Sequence, residues 1–156
     1  MKIYTYLQVF IHNILRILQY PGCAGILPVW DEKYYIVTLN INENCPLKDI
    51  PLMQLAQHEE LNIGFINIIR NNVSFLPDMY ETLKPDDQIN VLVKSEDVYG
   101  IISAFGLEKP ANERLVIFGG NEISGYIGSE VENDDSIVSC RLIEENIDRA
   151  RVLARN

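Results

Sequence analysis

The stretch VIFGGNEISG at 116–125 constrains this 156-residue chain more than any other. An apolar run that breaks on a glycine pair and resumes with helical character is how a dinucleotide-type β-α-β unit begins. Glycines there permit the tight turn, the approach of backbone to a pyrophosphate, and close packing of helix on strand. Free amides at the helix start then hold the phosphates. An acid ending the second strand accepts hydrogen bonds from ribose hydroxyls, and Glu144 stands 25 residues after Gly119, at the end of the apolar run 136–143. Residues 114–118 and 136–143 therefore read as strands, and 122–132 and 145–154 as helices. This β-α-β-α order opens a doubly wound sheet. Gly119 takes the turn position, but Asn121 and Ser124 stand where the second and third glycines belong. Glu122 adds a carboxylate where a phosphate would sit, satisfying the helix dipole and repelling an anion. The bland alternative is a tight turn leading into a self-capped helix.

The preceding part has a different rhythm. Residues 34–41 are rich in β-branched and aromatic side chains and read as a strand. Pro51 suits the first turn of a short helix at 51–58. Residues 62–69 and 73–76 flank Asn71-Asn72, a pair that tolerates positive φ, so a hairpin is expected there. A buried strand follows at 89–93. Ser95 then reads as an N-cap, and Val98, Ile101, Ile102 and Phe105 recur at i, i+3, i+4 and i+7 before Gly106 stops the helix. This β-α-β-β-β-α order makes an α+β lobe over 25–106. Residues 107–113, polar and containing Pro110, read as a linker.

The N-terminal residues are apolar enough to raise the question of a membrane span. Gln8, His12, Arg16 and Gln19 form one polar stripe, however, so no uninterrupted stretch of about 20 apolar residues exists. An amphipathic helix with a wide apolar face is expected, ending near Tyr20-Pro21-Gly22. The helix over 1–22 reads as one that packs on a protein surface, with a broad apolar face at 6–18 that would suit a dimer contact.

Charge narrows the partners. The chain has 22 acidic against 13 basic residues, a net charge of −9, and no basic block. That excludes a phosphate-backbone partner, which needs a Lys/Arg patch to release counterions. Its 47% hydrophobic content suits a globular fold. Cys23, Cys45 and Cys140 are far apart and do not pair with His12 or His58 at metal-ligand spacing, so they read as reduced structural cysteines. His12 reads as a surface residue, and His58 as a helix-end residue suited to the dipole. Asp86/Asp87 and Asp134/Asp135 read as solvated turn carboxylates. Trp30, Tyr34 and Tyr35 read as core or interface residues. No catalytic constellation can be assembled.

The run RLVIFGGNEISGYIGSEVE, followed by SCRLIEENIDRARVLA, resembles the opening of the NAD-binding domain of Trk-type potassium-uptake regulatory subunits of the RCK/KTN group. Gly119, Gly120, Ile123 and Glu144 match that family's turn and ribose acid, and Ile143-Glu144 with Asp148-Arg149 matches its second-helix signature. Asn121, Glu122 and Ser124 depart from its Gly, Asn and Gly. The 25–106 part resembles the same family's C-terminal lobe, with Glu43-Asn44-Cys45-Pro46-Leu47 at the entry and Asp86-Asp87-Gln88-Ile89 before the last strand. The resemblance implies a middle window of a longer repeat architecture: connecting helix, first C-terminal lobe, then a truncated Rossmann-like segment at 114–156. It implies a non-enzymatic regulatory subunit of potassium uptake, sensing nucleotide or another small ligand. Such a subunit is cytoplasmic, peripheral to the inner face of the plasma membrane, homodimeric, docked on a membrane potassium transporter, and not itself inserted. The implied cofactor is NAD(H) or ATP, with weak or no binding expected from the altered turn. Its candidate residues are Gly119, Gly120, Asn121, Glu122, Ile123, Ser124 and Glu144. The alternatives are an NAD-dependent oxidoreductase fragment and a free-standing sensor lobe of a transporter.

Overall fold

The computed structural model describes residues 6–58, 61–108, 114–132 and 139–153. Most of the expected linker (109–113), the Asp134/Asp135 pair and the start of the strand expected at 136 lie outside them. The chain forms two compact units, Tyr20–Lys109 and a second one built from both ends, Met1–Gln19 with Pro110–Asn156.

The first unit is a five-stranded antiparallel sheet with two helices. In chain order it runs β1 (Gly25–Val29), β2 (Tyr34–Asn40), α2 (Leu52–Ala56), β3 (Ile63–Arg70), β4 (Val73–Phe75), β5 (Gln88–Lys94), a 3₁₀ turn (Ser95–Asp97) and α3 (Val98–Ala104). In space the strand order is β1-β2-β5-β3-β4. Period-two alternation decides which face is buried. Tyr35, Val37 and Leu39 of β2 and Ile89, Val91 and Val93 of β5 point into the core, where Val98, Ile101, Ile102 and Phe105 of the α3 region and Leu52 and Leu55 of α2 meet them. On the other face a polar ladder crosses four strands. Thr38 donates to Asn90 at 2.7 Å, Asn90 to Asn67 at 2.8 Å, and Asn67 to Ser74 at 2.8 Å.

The expected β-α-β-β-β-α order lacks one element of this unit. β1 pairs antiparallel with β2 along its whole length. It contains Pro28, which removes a ladder donor and argues against a central strand; an edge strand tolerates it, and β1 is an edge. The hairpin at Asn71-Asn72 forms as expected, with both residues at positive φ, 51° and 62°. Ser95 is not the cap of a side-chain type, because it lies inside the 3₁₀ turn and neither helix start carries a side-chain cap bond. Trp30 is exposed at the β1–β2 hairpin and packs edge-on against Tyr34, while Tyr35 is buried.

One fork fastens the loop before β5. Arg70, at the end of β3, places Nε and Nη2 on the two carboxylate oxygens of Asp87 at 2.7 and 2.8 Å, and also donates to Glu81 at 3.2 Å and to the Thr82 carbonyl at 3.0 Å. The Lys84 amide adds a further bond to Asp87. Asp87 is fully buried, so it is not the solvated turn residue the sequence suggests. Burial alone would push its carboxyl up, but the Arg70 and Lys84 bonds prevail and hold it below the usual carboxylate range. At the other end of the unit Gly22 has φ +113°, and a Cβ there would fall 2.2 Å from the Leu107 carbonyl oxygen. The two ends of the lobe thus meet at a position only glycine can occupy.

The second unit comprises α1 (Tyr6–Gln19), β6 (Arg114–Phe118), α4 (Glu122–Glu132), β7 (Ser139–Ile143) and α5 (Ile147–Leu153). β6 and β7 pair in parallel, from Arg114 with Ser139 to Phe118 with Ile143. Ile11 of α1 is buried with Ile127 and Val131 of α4, flanked by Ile14, Leu15, Leu115, Ile117 and Cys140. The inner face of the N-terminal helix is therefore spent within the unit. Phe10 and Ile17 remain exposed on its outer side. Residues of the opposite sheet face, Val116, Phe118 and Ile143, are exposed, Phe118 by 77%. Among the described residues, no helix is long and apolar enough to cross a membrane.

Candidate functional site

The glycine turn lies where a parallel strand must reverse into a helix. Gly119 has φ +93°, a conformation L side chains rarely adopt, and its amide donates to the Ile143 carbonyl of β7 at 2.8 Å. Gly120 follows, buried, and donates its amide to Glu144 Oε2. The other Glu144 oxygen accepts the Asn146 amide at 2.7 Å. These two backbone bonds, the Asn146 amide first, hold the Glu144 carboxyl below its ordinary range, with Arg149 contributing more weakly.

Asn121 is the N-cap of α4. Its Oδ1 accepts the Ser124 amide at 2.9 Å, and Ser124 Oγ accepts the Asn121 amide at 2.7 Å. The Ser124 hydroxyl also donates to the Asn121 carbonyl at 2.9 Å. This is a reciprocal capping box with Ser where Glu or Gln usually stands. Glu122, which the sequence suggests as the group satisfying the dipole, is exposed in the first turn and does not make the cap. Ile123 turns inward and packs against the α1–α4 core. All seven predicted residues thus lie on one turn and the strand end beside it, six forming or flanking the turn and Glu144 facing it.

Two adjoining clefts open on the turn. One of about 380 Å³ is lined by Gly120, Asn121, Glu122, Asn146, Asp148, Arg149 and Val152. The other, about 620 Å³, adds Phe118, Gly119, Ile143, Glu144 and Glu145. Arg149 borders both and was not among the candidates. Its signal lay in the second-helix signature. Asn146 was missed as well: it caps α5, its Oδ1 accepting the Asp148 and Arg149 amides at 3.0 and 3.1 Å. An Asn immediately before an apolar helical run is a readable cap. His12 lies on α1 and His58 in the loop after α2, beyond the helix end expected for it, and among the described residues no group of three His, Cys, Asp or Glu side chains is gathered to hold a metal.

A mixed α/β architecture with a glycine turn on a parallel β-α-β unit defines a class of fold, and one solved structure shares it. The chain superposes on the crystal structure of the GsuK RCK domain with a TM-score of 0.50 and 16% identity, over 91% of this chain and 30% of that one. It has the fold of part of an RCK domain. The sequence relatives are more particular. The chain is 27% identical over 142 residues, 90% of its length, to the Trk system potassium uptake protein TrkA of Azorhizobium caulinodans. It is also 27% identical over 143 residues to the protein of the same name from Vibrio alginolyticus. It spans only 31% and 30% of those two relatives. No protein-family model matches the chain. The resemblance to Trk-type potassium-uptake proteins read from the glycine turn thus extends over nine-tenths of the chain.

Proposed function

We propose that this chain is a non-catalytic regulatory module of a Trk-type potassium-uptake system. The observation that carries the reading is the similarity to TrkA proteins over 90% of the chain. In this reading, 1–22 is the connecting helix, 25–106 the C-terminal-type lobe, 107–113 a linker, and 114–156 a nucleotide-type segment of which the chain holds the opening. The module works in the cytoplasm at the inner face of the plasma membrane, against a membrane potassium transporter, as a homodimer formed through α1. Its regulatory surface is the turn, because Gly119–Ser124 and Glu144 join α4, β7 and the start of α5, so a change at the turn reaches three elements. The groups there serve positioning and not proton transfer: both Glu144 oxygens are engaged by backbone amides.

Potassium flux tests the proposal. The protein is added to proteoliposomes holding the Trk-type membrane subunit of its own organism, and uptake is followed with and without it. A change in flux together with co-purification of the two supports the reading. Unchanged flux at saturating protein, with no co-purification, refutes it.

A further inference from the structure

The fold class implies a dinucleotide at the turn, and the residues present do not fit its pyrophosphate. A pyrophosphate site needs backbone amides that point outward and are unpaired, with no side chain in front of them. Here the Gly120 amide is taken by Glu144, the Asn121 amide by the Ser124 hydroxyl, and the Ser124 amide by Asn121 Oδ1. Asn121 is not in the left-handed region, so its Cβ sits without strain where the second glycine would leave space. The Glu122 and Ile123 amides have no hydrogen-bond partner among the described residues. They belong to the turn that also carries the exposed Glu122 carboxylate, which supplies the dipole with a negative charge and repels another. Arg149 borders both clefts and lowers the Glu144 carboxyl only weakly, through its charge.

We infer that the turn is closed by its own side chains: Asn121 and Ser124 satisfy two of the amides a pyrophosphate would use, Glu122 sets a carboxylate beside the remaining two, Glu144 clamps the turn to β7 in place of binding a ribose, and the segment excludes NAD(H) and ATP. This rests on reading 114–153 as a nucleotide-type segment. It makes the regulatory input something other than a dinucleotide at α4.

The test restores the family pattern. Isothermal titration with NADH, NAD and ATP is run on the full chain and on the combined variant Asn121→Gly, Glu122→Asn, Ser124→Gly. The wild type gives no binding heat at millimolar ligand, and the variant, folded by circular dichroism, binds at least one of the three ligands at least tenfold more tightly. Micromolar binding by the wild type overturns the inference, and so does a folded variant that binds no better. Should the variant not fold, hydrogen exchange of the wild-type Gly120 and Asn121 amides decides. Protection that added NADH leaves unchanged supports closure, and exchange at the unfolded-chain rate, or protection that NADH alters, overturns it. The flux experiment stands apart: wild-type binding of NADH would sink closure and leave the regulatory role intact, whereas unchanged flux would sink the role and leave closure intact.

Discussion

Replacing Arg70 by Met tests the strongest polar element of the lobe. The substitution keeps most of the stem and removes the charged fork, leaving Asp87 with no exposed surface and only the Lys84 amide as partner. Removing one partner of a buried ion pair costs about 3–5 kcal/mol, mostly for the stranded charge. Arg70 keeps 29% side-chain exposure, so water screens part of the loss and the low end, about 3 kcal/mol, applies. For a lobe of this size about 1 kcal/mol moves the melting temperature by roughly 4–8 °C, so a fall of roughly 12–24 °C is expected at pH 7. Asp87 supplies the sign of the pH dependence. Its folded carboxyl lies below its unfolded value, so its contribution is complete above about pH 4 and disappears as pH falls through the folded value. The difference between Arg70→Met and wild type therefore shrinks on acidification. Adding Asp87→Asn to Arg70→Met removes the stranded charge and recovers part of the loss. Thermal unfolding by far-ultraviolet circular dichroism reads all of this. A fall below about 4 °C, about 1 kcal/mol in a lobe of this size, or a difference that grows in acid, refutes the account.

Two further outcomes follow from packing. Under the proposed dimer through α1, Phe10→Asp abolishes association in sedimentation velocity and leaves the circular dichroism unchanged, because Phe10 faces outward while Ile11 carries the helix's buried contact; a wild type that is already monomeric at tens of micromolar disposes of the dimer. Gly22→Ala lowers the unfolding free energy by about 2–4 kcal/mol, read as a fall in the urea midpoint, because it combines an unfavourable φ with an overlap on the Leu107 carbonyl. An unchanged midpoint would mean that the two ends of the lobe do not meet as described.

Particular residues explain what was readable in the chain. The Asn71-Asn72 hairpin and the α3 face at 98, 101, 102 and 105 are local patterns, so sequence spacing suffices for them. β1 escaped because Pro28 masks strand character that pairing with β2 confers. The fate of the α1 face was also hidden, since its partners Ile127 and Val131 lie over 100 residues away in sequence. At the turn, the residue types and Glu144 could be read, but the direction of the hydrogen bonds could not. Whether Asn121 faces a ligand or Ser124 depends on rotamers that composition does not specify, and Glu122 looked like the cap only because acids favour that end of a helix.

The meeting of Gly22 with Leu107 bears on how the chain assembles. α1 and β6 belong to one unit yet are separated by the whole lobe, so joining them closes a loop of roughly 90 residues. Closure entropy grows as the logarithm of loop length, and a folded lobe whose ends touch acts as a loop of roughly 10 residues, a saving of about 2 kcal/mol. During synthesis α1 leaves the ribosome before its partners in α4 do. Its apolar face has to wait, and the lobe that separates it from α4 is also what delivers it there.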